Sequence, residues 1–380
     1  MLKRGSFCGL LALLLWGCDG NKAPLVVLQA PQAPAQADQV VRKEVRRLAF
    51  GSCAAPRDSM PVLRVAQGLR PDVFVWLGDN VYGDTDNMDT LQSRYAALSE
   101  TPDFQALKAD VRMMATWDDH DYGLNDAGRH FAQKDASKDV FLSFWEEPRT
   151  SPRRTRPGVY TSTLFDGARA DVHVILLDTR TFRDDLRPGK GMELVAADGT
   201  IYAADWIPHE GADSTLLGAP QWDWLEAQLA VPCDIRVIGT STQFGVAYNG
   251  YESWANFPHE QRRMVALLEA AAASRLAEGD PPVATCFISG DVHYAEASRM
   301  TLGADGQAVP ESLAPIWDIT SSGITSTWSF ATQNSNRAAG PVMENNIGLL
   351  RFMDNDSSLI TAEIWDATGE RRILEVAAPR

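Results

Sequence analysis

The chain has 380 residues, 45% of them hydrophobic, and carries a formal charge of −15 from 50 acidic against 35 basic side chains. That is enough apolar material for one large domain or two ordinary ones, and eleven tryptophans with no long polar low-complexity run argue for a packed globule. The diffuse negative field argues against nucleic acid as a partner, but bound cations can reverse the potential inside an acidic shell, so phosphate substrates stay open.

The first residues read as an address. Lys3 and Arg4 precede an apolar stretch from Gly9 to Trp16, far too short for the roughly 20 residues of a spanning helix. Leu15-Trp16-Gly17-Cys18 resembles a lipoprotein signal box, which predicts a leader over 1–17, an acylated Cys18 and an exported protein held at the cell envelope by a lipid anchor. A plain secretory signal cut elsewhere is the alternative. Residues 18–45 are rich in Ala, Pro and Gln, with Pro24, Pro31 and Pro34 discouraging helix and strand, and read as a flexible tether before a domain spanning 46–380.

From there, short apolar runs alternate with polar turns. Arg47–Phe50 runs into Gly51-Ser52-Cys53, Asp72–Leu77 into Gly78-Asp79-Asn80, and Val111–Trp117 into Asp118-Asp119-His120. Val172–Leu177 runs into Asp178-Thr179-Arg180, Ile235–Gly239 into a turn ending at Gln243, Ala284–Ile288 into Gly290-Asp291-Val292-His293, and Trp317–Ile319 into Thr320–Gly323. Helical spacing marks Pro61–Leu69, Thr101–Ala109, Pro220–Leu229 and His259–Leu276, and Ile347–Val376 reads as closing strands broken at Asn355-Asp356 and Gly369. Strands alternating with helices predict a layered α/β fold, with sites beyond the carboxyl ends of the strands.

If Cys8 leaves with the leader and Cys18 is acylated, three cysteines remain. Arithmetic allows a Cys233–Cys286 disulfide with Cys53 free, while the apolar run around Cys286 equally suits a buried thiol.

Four turns hold the chemistry. Each alone has an ordinary explanation, since acids cap turns and helices and a lone Cys often fills a core. Together, after successive strands, they gather like charges at one end of a sheet, which cations would relieve. The turns resemble the alkaline phosphatase D (PhoD-like) family of the calcineurin-like metallophosphoesterases: Ser52-Cys53, Gly78-Asp79-Asn80-Val81-Tyr82, Trp117–Asp121, Leu177–Arg180 and Gly290–His293 stand in the family order, and Leu217-Gly218 with Gln221-Trp222 and Leu225 is similar to its LGxxQxxWL helix.

The resemblance implies a layered metallophosphatase-type β-sandwich flanked by helices. It implies that Asp79 bridges two ions, that Cys53, Tyr82 and His293 complete the first shell, and that Asp119 and Asp291 bind the second. Thiolate and tyrosinate suit iron(III), and oxygen ligands suit one or two divalent ions such as calcium. The implied reaction is hydrolysis of phosphodiesters or phosphomonoesters by metal-activated hydroxide, with His120 steadying the phosphoryl group or protonating the leaving group, Asn125 donating to phosphate, and Arg180 either clamping phosphate or sitting in a buried ion pair. Gln243 is a further candidate oxygen ligand. Asp121 replaces the family's usual Glu, and Gly83 stands where many members carry an acid, with Asp84 beside it. The insertion Lys190–Asp213 reads as a lid or a solvated loop. Two alternatives to the leading function are phospholipase D-like action on lipid head groups and a non-catalytic, metal- or phosphate-binding surface lipoprotein.

Overall fold

The computed structural model describes residues 35–56, 59–355 and 358–379. The leader, Cys18 and the first part of the proposed tether lie outside the described residues.

In chain order the first half contains β1 (Gln39–Arg42), β2 (Arg47–Gly51), α1 (Pro61–Gly68), β3 (Val73–Leu77), α2 (Met88–Glu100), α3 (Pro102–Asp110), β4 (Arg112–Thr116), the single turn α4 (Asp119–Tyr122) and α5 (Lys134–Phe144). Next come β5 (Thr161–Asp166) and β6 (Val172–Leu176). An excursion follows, in which β7 (Arg187–Pro188) pairs with β10 (Trp206–Ile207) and encloses the hairpin β8 (Glu193–Val195)–β9 (Ile201–Ala203). The chain continues through α6 (Gly218–Leu229), β11 (Ile235–Gly239), α7 (Pro258–Glu278), β12 (Ala284–Ser289), β13 (Ala295–Met300), β14 (Ile316–Ser321) and β15 (Arg337–Val342), then closes with β16 (Asn346–Asn355), β17 (Ser358–Asp366) and β18 (Arg371–Pro379).

Two large sheets result, one of eight strands in the order β1-β5-β6-β11-β12-β14-β13-β15 and one of six in the order β18-β17-β16-β2-β3-β4. Successive side chains of a strand point to opposite faces, and here both faces are covered. Val73, Val75 and Leu77 of β3 share the inter-sheet core with Val172, Val174 and Leu176 of β6 and Val237 of β11. The alternate residues Phe74 and Trp76 pack with residues of α1–α3 such as Leu63, Leu98 and Phe104. Ile175 and Leu177 pack outward with Trp222 and Leu225 of α6 and Met264 of α7. The architecture is the layered α/β sandwich that the alternation of strands and helices predicts.

Within each sheet the site-bearing strands run parallel: β2-β3-β4 on one side, β6-β11-β12-β14 on the other. Parallel strands deliver their carboxyl ends to one edge, so the polar turns of both sheets converge there.

Two expectations need correction. The tether is shorter than 18–45, because Gln39–Arg42 pairs with Thr163–Asp166 and the Asp38 carboxylate is gripped by Arg156. No disulfide joins Cys233 to Cys286; Cys53, Cys233 and Cys286 are all free and buried. Cys286 packs in the inter-sheet core, whereas the Cys233 thiol faces the Arg236 guanidinium. Among the described residues no helix is long and apolar enough to cross a membrane.

Candidate metal centre

The turn after β2 carries Cys53, the turn after β3 carries Asp79 and Tyr82, β4 leads into Asp118, Asp119 and His120, and β12 into Asp291 and His293. Four of these residues adopt left-handed backbone: Cys53 (φ 61°), Asp79 (φ 50°), Asp291 (φ 74°) and His293 (φ 55°). Such geometry is costly for residues with a Cβ and gathers at functional sites. Two glycines let the turns close on each other. A Cβ on Gly78 would lie 2.5 Å from Asp118 Cβ, and one on Gly290 would lie 2.4 Å from Ser52 Oγ.

The turns meet in one polar nest. Ligand atoms of Cys53, Asp79 and His293 lie within 4.8 Å of one another, as do those of Asp79, Asp119 and His120, and those of Asp79, Asp118 and Asp291. Asp79 belongs to all three groups. The Tyr82 hydroxyl is 3.1 Å from His293 Nε2, and Cys53 Sγ is 3.4 Å from Asp79 Oδ2 and 3.1 Å from Ser322 Oγ. All six residues expected to hold metal therefore converge, together with Asp118. The two ends of the nest differ in chemistry: thiol, phenol and imidazole lie at one, carboxylates at the other.

Burial and mutual repulsion set the protonation of the nest. Burial pushes the Asp79 carboxyl well up, and Cys53, Asp119 and Asp118 push it further. Asp291 is raised by burial and then by Asp118 and Asp119, and Tyr82 by burial and then by Cys53 and Asp79. Burial alone would raise the Cys53 thiol, but the His293 imidazole and hydrogen bonds with His293, Ser322 and Ser52 bring it down to about 6. Among the described residues the buried oxygens Asp79 Oδ1, Asp118 Oδ2 and Asp119 Oδ1 have no hydrogen-bond partner. Buried polar atoms are rarely left so, and a carboxylate set of this kind suits a bound cation.

His120 stands at the edge of the nest, its Nδ1 2.6 Å from Asp84 Oδ1 and its ring 4.3 Å from that of Tyr82. Burial opposes its protonation, but Asp84 and Asp119 outweigh burial and raise it to about 9. Asn125 is exposed and donates to Asp126, whose own N–H donates to Asp119 Oδ2 at 2.7 Å. Arg180 is fully buried, its guanidinium 2.5 Å from Asp118 Oδ1 and 2.6 Å from Glu252 Oε2, so it is no phosphate clamp; the ion-pair alternative is the one realised. Gln243 is likewise no ligand, being engaged by Glu296, Thr320 and Asn249.

Sequence reasoning missed the roles of Asp118, Asp121 and Glu252. The Asp118-Asp119-His120-Asp121 run advertised three acids, but only the start of α4 decides which way each points. Glu252 follows Tyr251 in a segment with no motif to mark it. The insertion is an ordered hairpin docked beside the nest: Trp206 Nε1 donates to Asp126 Oδ2 at 3.2 Å, and the Tyr202 hydroxyl donates to the Asn249 carbonyl at 2.6 Å.

Residues 48–361 match the model of the PhoD-like phosphatases. The chain belongs to that family. It is accordingly a phosphoester hydrolase, and membership in the PhoD-like family implies divalent metal ions. Among solved structures, PhoD is similar at 16% identity over 92% of this chain and 73% of that one, with a TM-score of 0.57. A purple acid phosphatase, PPD1 from seeds of yellow lupin (Lupinus luteus), is similar at 11% identity over 90% of this chain and 54% of that one, with a TM-score of 0.52. GAP50, the anchor in the inner membrane complex of Plasmodium, is similar at 12% identity over 89% of this chain and 90% of that one, with a TM-score of 0.51. At such identities the likenesses establish the shared fold. No curated protein matches the PhoD-like chain in sequence.

Proposed function

We propose that the nest holds at least two metal ions sharing Asp79, and that the protein hydrolyses phosphodiesters, phosphomonoesters or both. The observation that carries this reading is the set of buried oxygens on Asp79, Asp118 and Asp119 that accept no hydrogen bond. Fold alone would not suffice, since one neighbour of this fold is described as an anchor.

Cys53, Tyr82, His293 and Asp79 would hold iron(III), whose preference for anionic, polarizable donors they meet. Asp79, Asp119 and Asp291 would hold calcium, or another hard divalent ion. Bound ions supply a hydroxide nucleophile at neutral pH and spread the charge that develops on the phosphoryl oxygens. With Nδ1 engaged by Asp84, His120 presents Nε2 to the ester and steadies the phosphoryl group or protonates the leaving oxygen. Asn125, at the rim, donates to a phosphate oxygen. Arg180 acts indirectly, fixing Asp118 and offsetting the acids around it.

Elemental analysis of active protein, run beside bis-p-nitrophenyl phosphate, p-nitrophenyl phosphate and phosphatidylcholine liposomes, tests the reading. Iron with calcium is expected, as is a visible absorption band that Tyr82→Phe abolishes or shifts. A colourless, fully active enzyme holding only zinc or calcium would overturn the iron assignment. His120→Ala should keep its metal and lose at least about tenfold in rate; unchanged turnover removes His120 from the mechanism. The liposome arm addresses lipid head groups, a second reading favoured by Val195 (55% exposed) and Ile201 (66% exposed) on the hairpin beside the nest. We also propose export and anchoring through Cys18: Cys18→Ser should move the protein from the membrane to the soluble envelope fraction, and an unchanged membrane fraction would sink the anchor.

A further inference from the structure

A run of aromatic rings leads away from the His293 end of the nest. The Trp328 ring stacks on His293, with centroids 5.2 Å apart and planes 27° apart, and its backbone N–H donates to the His293 carbonyl at 3.1 Å. Tyr251 lies 5.0 Å from Trp328, Phe330 lies 6.4 Å from it at 28°, and Tyr202 stacks on Tyr251 at 5.8 Å and 3°. Trp328, Tyr251 and Phe330 are all only half-buried. They come from three separate segments: the loop after β14, the loop after β11 and, for Tyr202, the inserted hairpin. Binding a bare phosphate needs charges and hydrogen-bond donors, not a solvent-facing shelf of rings. Partly exposed rings gathered beside a phosphate-binding nest are the arrangement that takes a planar group by stacking.

We propose that Trp328, Tyr251 and Phe330, backed by the buried ring of Tyr202, form a subsite for a planar aromatic substituent of the phosphoester, such as a nucleobase. This rests on the reading of the nest as the site of phosphoester hydrolysis. A substituent joined to the phosphoryl group through a few bonds reaches rings that begin one stacking distance from His293. The inserted hairpin then serves specificity, because it brings Tyr202 against Tyr251 and Phe330.

The test compares adenosine 5′-monophosphate with ribose 5-phosphate, and their methyl esters as diesters, on metal-loaded enzyme. Each pair shares the 5′-oxygen and differs only in the base. The adenosine esters should show kcat/KM higher by about tenfold or more, carried mainly by KM. Tyr251→Leu and Phe330→Leu, neither of which stacks on His293, should collapse that ratio toward one, and Trp328→Leu should do the same. A ratio near one in the unaltered enzyme overturns the subsite, as does a ratio that survives all three substitutions. If Trp328 only braces His293, Trp328→Leu lowers both substrates together, leaves the ratio intact and lowers iron content. Calorimetric binding of the same two monoesters separates the subsite from the hydrolase reading. Tenfold tighter binding of the adenosine ester without turnover sustains the subsite and sinks the hydrolysis; equal binding sinks the subsite.

Discussion

Asp121 follows His120 in sequence yet turns its carboxylate away from the nest. It accepts from the N–H groups of Asp79 (3.2 Å), Asn80 (3.3 Å) and Asp118 (2.7 Å), and from the Tyr95 hydroxyl (2.8 Å). One side chain thus ties the turn after β3 to the turn after β4. Burial raises it to about 7 against those donors, so the network is delicate. Asp121→Ala should cost about 2–4 kcal/mol, because several buried donors lose their acceptor; a urea unfolding midpoint reads the loss, and Asp121→Asn should cost less. Glu252 plays a different part. It sits against Arg180 Nη1 at 2.6 Å and Arg183 Nε at 2.9 Å, and Arg180 in turn holds Asp118. Removing its charge leaves Arg180 with only Asp118 and Asp119 as counter-charges, so its positive charge offsets more of the negative charge at the carboxylate end of the nest. Glu252→Gln is therefore expected to weaken calcium binding by about tenfold, roughly 1.4 kcal/mol, in titrations of metal-stripped protein. Undiminished calcium affinity would confine Glu252 to packing.

At the level of elements, the site-bearing parallel strands and four of the helices were readable from periodicity, while α2, α5 and β1 were not. Leu91, Tyr95 and Leu98 form the buried face of α2, and Asn87 caps it by accepting from the N–H groups of Asp89 and Thr90. That asparagine was the available signal, but a buried face of three residues in thirteen makes a faint stripe. β1 could not be read, because its stability comes from Thr163–Asp166 far along the chain. The strand β6 also carries a titration. His173 is fully buried, and burial followed by the neighbouring Arg236 lowers it to about 3. Its folded pKa lies below the unfolded value, so its share of stability is present above about pH 6.5 and is lost as pH falls toward 3, at on the order of 1 kcal/mol per pH unit. His173→Leu should flatten that acid limb in pH-dependent unfolding; an unchanged slope would show that His173 is not its source.

Across the whole molecule, two sheets bring acids from distant parts of the chain together at the common edge of their strands. A molecule of formal charge −15 gains from cations held there. Chelation is expected to lower the melting temperature by roughly 5 °C or more, with salt restoring part of the loss through screening. Differential scanning calorimetry before and after chelation measures it, and an unmoved transition would show that the nest does not depend on ions.

Sequence by itself determined the strand–turn rhythm, the residues at the strand ends and the family to which they belong, because these are local: an apolar run of alternating faces and the polar turn that ends it are written in consecutive residues. It could not say that Arg180 faces Asp118 and Glu252, that Cys233 and Cys286 stay apart, or that Tyr202 of the insertion meets Tyr251 and Phe330. Those pairings were decided by tertiary structure, since each depends on which remote segment packing brings within a few ångströms, and no local pattern encodes that distance.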